Sequence, residues 1–342
     1  GSDIKLVTYP KASLSWVMDE EGWFEDLAPS WLNALRLRTA WGQSGEQPAA
    51  FSALRTWSPV TAPQNRAGVT PNTVGNPDLT AEVGEETEVG FDSDLLGSRL
   101  GLQFTYYNKL TKGAILQRDL PPSLGFTGQQ FTNAGRIVNA GLETQLNAVL
   151  LDRPGLRWDV GINFSYNSAE IQQLSGEPGD TLIVFNAWSS MEHRVGYAPY
   201  SWFGVDVVSA DLDPKTYRAI NAMCSDGMGG TTPCFDALNN AIAPRVYLGR
   251  AIAPVEMSFT TDLAVGQGVR FHALFTSEQG HKRFDNTLRQ RCRLYTVCRE
   301  NAYPEEWDPI MRATVQSSDQ IVDSWINDVS FIRLKEVSLS YD

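Results

Sequence analysis

The most regular part of the sequence runs Arg136-Ile-Val-Asn-Ala-Gly-Leu-Glu-Thr-Gln-Leu-Asn-Ala-Val-Leu-Leu151, then Asp152-Arg-Pro-Gly155, then Leu156-Arg-Trp-Asp-Val-Gly-Ile-Asn-Phe-Ser-Tyr-Asn167. In both arms, largely apolar residues alternate with polar ones. The apolar set consists of Leu142, Thr144, Leu146, Ala148 and Leu150 in the first arm, and Trp158, Val160, Ile162, Phe164 and Tyr166 in the second. Because successive side chains of a strand point to opposite faces, each arm has one apolar and one polar face. The Pro-Gly pair between the arms favours a turn, so the stretch predicts a β-hairpin.

The length of the arms distinguishes two classes of β-protein. Strands of soluble proteins average about five or six residues, whereas a strand that crosses a membrane needs about nine to eleven. In a transmembrane barrel such strands turn apolar side chains to lipid and polar side chains to the lumen. We therefore expect an all-β fold, an antiparallel up-and-down transmembrane β-barrel. A secreted, carbohydrate-binding β-sandwich is the alternative interpretation.

Composition excludes several other classes. The chain has 342 residues, of which 42% are hydrophobic and 20% charged, so it is expected to fold rather than stay disordered. Its net charge of -12 leaves no basic stripe for nucleic acid. The sequence contains no apolar run long enough for a transmembrane helix, but this does not argue against a barrel, whose strands give a weaker signal.

Connections of two lengths alternate along the chain. Further strand-like segments are Ala12–Val17, Leu35–Trp41, Glu85–Leu95, Arg99–Leu110, Val255–Val265, Val269–Thr276 and Val329–Tyr341, with a helical turn between Asp19 and Asn33 and a short strand near Ser201–Val208. Short turns lie at Gly97-Ser98, Asp152–Gly155 and Gly266–Gly268, and long connections at Gly42–Gly84, Thr111–Gly135, Gln172–Pro254 and Ser277–Asp328. Short periplasmic turns and long extracellular loops are typical of an outer-membrane barrel.

The cysteines fall into two local pairs, Cys224 with Cys234 and Cys292 with Cys298. Neither spacing is that of a zinc knuckle, and three pairings are formally possible. In an oxidising compartment we expect two local disulfides; in a reducing one the thiols would stay unpaired.

Catalytic and metal sites are not indicated, and no cofactor is expected. Gly42-Gln-Ser-Gly45 lacks the second half of the Gly-x-Ser-x-Gly motif of a nucleophile elbow. The histidines, His193, His272 and His281, lack a metal-ligand spacing and are interpreted as lumen or loop residues. Asp211 and Asp213 lack the glycine and glutamate of a calcium loop, so a solvated turn is favoured over a calcium site.

Several segments together resemble the SusC/RagA-like TonB-linked outer-membrane transporters. They are Leu35-Arg-Leu-Arg-Thr-Ala-Trp-Gly-Gln-Ser-Gly45, Gly75-Asn-Pro-Asp-Leu79, Tyr106-Tyr-Asn-Lys109, Leu120-Pro-Pro-Ser-Leu-Gly-Phe126, Thr132-Asn-Ala-Gly-Arg-Ile-Val-Asn-Ala-Gly-Leu-Glu143 and Asn327–Tyr341. Their order and spacing agree with that family from about Pro10 to the end. The chain begins and ends in strand-like sequence, so we expect a piece of a longer protein.

The resemblance implies a barrel of about 22 strands filled by a plug. Residues 1–342 would form one partial barrel domain with about nine of those strands, without the plug domain, the TonB box and the final strands. It also implies an outer-membrane location in a Gram-negative bacterium, contact with outer-membrane lipid, a SusD-like surface lipoprotein over the loops, and the TonB complex acting through the plug. The nutrient would be an oligosaccharide or a peptide.

Ligand contacts of such a transporter belong on the long loops and the upper lumen. Aromatic side chains there could stack on sugar rings, and the candidates are Trp57, Phe126, Trp188, Trp202 and Phe203. An outer-membrane barrel enzyme, the third class considered, would need a Ser/His pair converging on one rim.

Overall fold

The computed structural model describes residues 8–49, 51–120, 123, 129–133, 135–174, 182–186, 190–236, 240–266, 268–317 and 323–341. Strands dominate this part of the chain, and its helices are short. Among the described residues, no helix has the length and apolar character needed to span a bilayer.

The strands in chain order are β1 Lys11–Val17, β2 Leu32–Glu46, β3 Thr56–Ala62, β4 Arg66–Thr73, β5 Glu82–Leu95, β6 Leu100–Lys112, β7 Ile115–Asp119, β8 Gln129–Asn133, β9 Arg136–Arg153, β10 Leu156–Gln173, β11 Leu182–Asn186, β12 Met191–Arg194, β13 Ser201–Gly204, β14 Val207–Leu212, β15 Ala219–Ser225, β16 Thr231–Pro233, β17 Val246–Arg250, β18 Val255–Val265, β19 Val269–Gln279, β20 Lys282–Phe284, β21 Ile326–Asp328 and β22 Phe331–Tyr341. The α-helices are α1 Gly22–Leu27, α2 Asn286–Arg289, α3 Arg299–Ala302 and α4 Pro309–Gln316. A π-helical turn covers Gln290–Leu294.

The long strands form one sheet in the order β1-β2-β5-β6-β9-β10-β18-β19-β22. Each long strand lies beside the next long strand of the sequence, which is the predicted up-and-down topology. Strands β9 and β10 have 18 residues each, or about 60 Å at about 3.3 Å per residue, more than the hydrocarbon core of a bilayer requires. β1 and β22 form the sheet edges, so the described strands do not close, in agreement with a partial barrel.

The alternation of connections is confirmed. Long strands joined by the predicted short turns pair directly, as in β5 with β6 and β9 with β10. The long connections contain more structure than the sequence predicted: the hairpin β3–β4 lies between β2 and β5, and β7–β8 lies between β6 and β9. The first connection, between β1 and β2, holds the expected helical turn, α1.

One face of the sheet is apolar and uncovered. Antiparallel registers align Phe91 with Phe104 and Ile162 with Leu146, so apolar side chains of neighbouring strands share a face. Trp158 and Ile162 remain 37% and 39% exposed, and no residue from Trp158 to Tyr166 is buried. A sandwich would cover this face with a second sheet, so the sandwich interpretation is wrong for the described sheet.

A glycine of β9 accommodates a tyrosine on the opposite, polar face. Gly141 lies directly across from Tyr107 of β6. A Cβ atom at Gly141 would approach the Tyr107 hydroxyl oxygen to 2.6 Å, which is closer than atoms pack. The tyrosine ring thus covers the backbone of a residue that has no side chain of its own.

The chain divides into two compact units. The sheet unit comprises Gly1–Ile183, Met257–Phe275 and Leu334–Asp342, and the loop unit comprises Val184–Glu256 and Thr276–Arg333. The loop unit has two buried clusters of its own: Trp202, Leu248, Cys292, Cys298, Trp307, Trp325 and Ile326 in one, and Val205, Val207, Ala219, Cys224, Cys234, Ala243 and Ala313 in the other. One barrel domain over residues 1–342 stays a prediction, and the loop unit is a feature that it did not foresee.

Candidate functional site

The polar face of the sheet unit carries an ion-paired cluster. Arg36 and Arg38 are on alternate positions of β2 and both bind the carboxylate of Asp92 on β5, Arg36 with its Nε at 2.8 Å and Arg38 with its Nη2 at 2.8 Å. Arg38 Nη2 also donates to Thr105 Oγ1 of β6 at 3.2 Å. The two arginines therefore lie on a hydrated polar face, as the alternation in Leu35–Trp41 predicts.

Polar pairs continue across the later strands. Asn163 Nδ2 donates to Ser258 Oγ at 3.0 Å, and His272 Nδ1 lies 2.7 Å from Asp262 Oδ1. A depression of about 710 Å³ opens on this face, with Arg36, Asp92, Asp94, Asp159 and Asp262 among the residues that line it. Paired charges over an open depression suit the wall of a water-filled lumen.

The candidate aromatic residues do not share one site. Trp57 lies on β3 of the sheet unit and is 53% exposed. Phe126 and Trp188 fall outside the described residues. Trp202 and Phe203 are buried in β13 of the loop unit, Phe203 at 0% exposure. No ring face of these two is open to a ligand, so only Trp57 among the described candidates keeps the predicted accessibility.

The burial of Trp202 and Phe203 has a simple physical cause. The indole Nε1 of Trp202 donates to the carbonyl oxygen of Lys282 at 2.9 Å, and its ring lies 6.2 Å from that of Phe284. Phe203 contacts the rings of Tyr197 and Tyr247, with centroids at 5.0 and 5.7 Å. With these contacts the two rings stabilise the core of the loop unit and leave no face for a ligand.

Two exposed tyrosines contact Phe203, and neither is among the residues predicted to bind a ligand. Tyr197 and Tyr247 are 37% and 40% exposed, and their ring centroids are 5.1 Å apart with a tilt of 32°. Tyr247 pairs across the sheet with Phe203, and Tyr197 follows β12 in the turn that leads to β13. The only sequence signal for Tyr197 is its setting in Gly196-Tyr-Ala-Pro-Tyr200, which favours an exposed loop.

A buried carboxylate holds two arginines that both contact Phe203, the residue against which the two tyrosines pack. Glu192 is almost fully buried; Arg194 Nη2 binds it at 2.7 Å and Arg245 Nη2 at 2.5 Å. Arg245 Nη2 also donates to the carbonyl oxygen of Phe203 at 3.0 Å, and the Arg194 guanidinium lies over the Phe203 ring at 3.9 Å. One negative charge therefore fixes two positive ones, which leaves a local charge of about +1.

Both cysteine pairs are joined as local disulfides in the structure, Cys224 with Cys234 and Cys292 with Cys298, with Cα atoms 5.0 and 4.9 Å apart. Each disulfide belongs to one of the buried clusters of the loop unit. Glu300 lies close to the second pair. Disulfide sulfurs are not the thiolates that bind metals, so this group does not form a metal site.

The remaining ionisable candidates have structural surroundings. Burial lowers the pKa of His193 to about 4, so this histidine is neutral in the loop unit at neutral pH. The carboxylate of Asp213 accepts hydrogen bonds from the backbone N–H groups of Lys215 and Thr216, which lower its pKa. Asp211 accepts from Asn221 Nδ2 at 2.9 Å. The contacts of Asp213 are those of a capped turn, whereas Asp211 lies on β14 and its partner Asn221 on β15.

Residues 4–222 match the family described as TonB dependent receptor-like, beta-barrel. TonB-dependent receptor P39 of Formosa agariphila is 27% identical over 237 residues, which cover 68% of this chain and 21% of that protein. TonB-dependent receptor SusC of Bacteroides thetaiotaomicron is 26% identical over 219 residues, which cover 59% of this chain and 21% of that protein. The chain thus spans about a fifth of the curated relatives that it matches.

Solved structures show the same fold. The RagAB peptide transporter superposes with a TM-score of 0.80 at 19% identity, over 100% of this chain and 38% of that one. The RagAB peptide importer in the 'closed-closed' state gives a TM-score of 0.76 at 18% identity, over 97% of this chain and 36% of that one. Both curated relatives are named TonB-dependent receptors, which agrees with the prediction that the chain is not an enzyme.

Proposed function

Because the chain belongs to the TonB dependent receptor-like β-barrel family, we propose that it forms part of the wall and the extracellular loops of an outer-membrane nutrient importer. The observation that carries this proposal is the pair of opposite faces of the nine-stranded sheet. One face is apolar and bare at Trp158 and Ile162, while the other carries the Arg36–Asp92–Arg38 cluster. Lipid on one side and water on the other account for both faces at once.

In this proposal the short turns face the periplasm and the long connections face the outside of the cell. The loop unit is held by two disulfides, which form and persist in compartments outside the cytoplasm. The family relationship supports a SusD-like surface lipoprotein as the partner over the loops. It also supports a plug elsewhere in the intact protein, through which the TonB complex supplies energy. The imported nutrient is an oligosaccharide or a peptide.

The test is uptake by cells that carry the intact gene. The source bacterium and a strain that lacks this gene are compared for growth on defined oligosaccharides and peptides as sole carbon sources. We expect the deletion strain to lose growth on at least one of them and to recover it with the intact gene. Deletion of TonB is expected to abolish the same growth.

Two results would overturn the proposal. One is growth of the deletion strain on every nutrient that the parent uses, with other importers of the family also deleted so that they cannot substitute. The other is recovery of the intact protein in the soluble fraction of lysed cells without detergent, since an uncovered apolar sheet face belongs in lipid.

A further inference from the structure

The loop unit carries an exposed aromatic pair, the tyrosine shelf, formed by Tyr197 and Tyr247. Their ring centroids are 5.1 Å apart in a tilted stack with an interplanar angle of 32°, and each ring packs edge to face against the buried ring of Phe203. Tyr247 is on β17 and Phe203 on β13, two paired strands, so the shelf rests on hydrogen-bonded backbone. A surface of this kind is ordered before any ligand arrives, which reduces the entropy lost on binding.

Two arginines that contact Phe203, the residue that supports the shelf, have hydrogen-bond donors left over. Within the described residues, the polar contacts of Arg194 and Arg245 all go through their Nη2 atoms, to Glu192 and to the Phe203 carbonyl oxygen. A guanidinium has five N–H donors, so most donors of both arginines are unused. Both side chains are partly exposed, at 28% and 34%, and Arg245 Nε is a buried donor without a partner in this part of the chain.

We propose that the tyrosine shelf and its two arginines form a binding subsite for a sugar ring that bears a carboxylate, a uronate residue of an acidic oligosaccharide. The apolar C–H face of a pyranose ring lies on the tyrosine rings. The carboxylate, fixed to the edge of that ring, accepts hydrogen bonds from the free N–H groups of Arg194 and Arg245. The surplus charge of about +1 left after Glu192 is counted favours an anion over a neutral hydroxyl group.

An acidic peptide fits this surface less well. The shelf is exposed at the surface, whereas a peptide side chain gains most from a pocket that encloses it. An Asp or Glu side chain carries its carboxylate on a rotatable stem and has no flat face to place on an aromatic ring. A uronate offers the face and the charge in one rigid unit, so it uses both parts of the site at once.

The inference rests on the proposed import function, because it names the substrate class that the loops would select, but it is tested by binding rather than by uptake. The intact receptor, purified in detergent with its surface lipoprotein if the two copurify, is titrated calorimetrically with hexasaccharides. The panel contains galacturonate, glucuronate and mannuronate oligomers, neutral maltohexaose, and a hexapeptide of alternating Asp and Gly. We expect at least one uronate to bind at least tenfold more tightly than the neutral sugar and the peptide.

Substitutions assign the binding to this site. Tyr247→Ala is expected to weaken uronate binding about tenfold, the equivalent of one ring contact, whereas Tyr247→Phe keeps the ring and the affinity. Tyr303→Ala, which removes an exposed tyrosine of the same unit outside the shelf, is the matched control and is expected to change nothing. Arg245→Gln is expected to weaken the uronate at least tenfold and maltohexaose little.

The salt dependence of binding does not depend on how Arg245→Gln folds. On the unmodified receptor, uronate affinity is expected to fall as salt is raised from 50 to 500 mM, while neutral-sugar affinity stays constant. The proposal is overturned if no uronate binds, if neutral sugar or peptide binds as tightly, or if Tyr247→Ala and Tyr303→Ala have the same effect. TonB-dependent growth on a neutral sugar or a peptide, with no uronate binding, would reject the subsite and leave the import function standing.

Discussion

Replacing Ile162 by arginine should destabilise the intact barrel by about 2–4 kcal/mol, the cost of a charged side chain at the lipid-facing midplane. The position follows from the strand itself. Ile162 is exposed on the apolar face of β10, four residues after Trp158 and four before Tyr166. Four residues span about 13 Å of strand, or about 10 Å along the membrane normal at a tilt of about 40°. Two aromatic rings about 20 Å apart match the borders of an apolar band about 25 Å tall, which puts Ile162 near its centre.

The assay compares two arginine variants on the same strand. The intact receptor is folded into phosphatidylcholine vesicles and unfolded with guanidinium, and tryptophan fluorescence gives the free energy of unfolding. The control is Ser165→Arg, on the polar face and directly opposite Glu143 of β9. An arginine there meets water and an opposite charge, so its effect should stay within about 1 kcal/mol. If Ser165→Arg costs as much as Ile162→Arg, or more, the assignment of lipid and water to the two faces is refuted.

Three further perturbations test other parts of the structure in the intact protein. Burial raises the pKa of Asp323 from 3.8 to about 6, so the folded state binds this proton more tightly than the unfolded state. The free energy of unfolding of the loop unit should therefore rise by up to about 3 kcal/mol as the pH falls from 7 through 6 to 4. Thermal melts of Asp323→Asn should lack this rise. Removing the Cys224–Cys234 disulfide with two alanines should lower the stability of the loop unit by about 2–3 kcal/mol, and an unchanged melting temperature would contradict this. Gly141→Ala forces a Cβ against neighbouring strands and should reduce the yield of folded barrel in vesicles, whereas Gly101→Ala, where the added Cβ has room, should not.

The hairpin β9–β10 could be predicted because its signal is local. Alternation with a period of two is written into consecutive residues, and the turn at Pro154-Gly155 fixes which positions face each other. The same holds for β5 and β6, where Phe91 pairs with Phe104 and both belong to the apolar set of their strand. Strand ends were less certain: β2 runs on to Glu46, beyond the predicted break at Gly42, because backbone pairing continues after the alternation of side chains has stopped.

The candidate ligand-binding residues were harder to predict because their surroundings are assembled from distant segments. In β13 both Trp202 and Phe203 are buried, one on each face of a four-residue strand, so there is no alternation to read. The carbonyl group that fixes Trp202 belongs to Lys282, 80 residues further along the chain. Sequence alone selected these residues because they are aromatic and lie in a long connection, but large aromatic side chains are also well suited to a buried core, which is where the structure places Trp202 and Phe203.

The two segments of the loop unit pack into a common core, and this affects how the unit can bind a ligand. Segments from Val184–Glu256 and Thr276–Arg333 enter the same cluster, where Trp202 and Leu248 join Cys292 and Trp325. The conformational entropy of these segments is therefore lost when the protein folds, not when a ligand binds. Surfaces on such a unit can be small and still selective, because their rings and charges are already in place. Selectivity then depends on the side chains that remain exposed at its surface, and among the described residues in and next to β12, β13 and β17 these include Tyr197, Tyr247 and the two arginines held by Glu192.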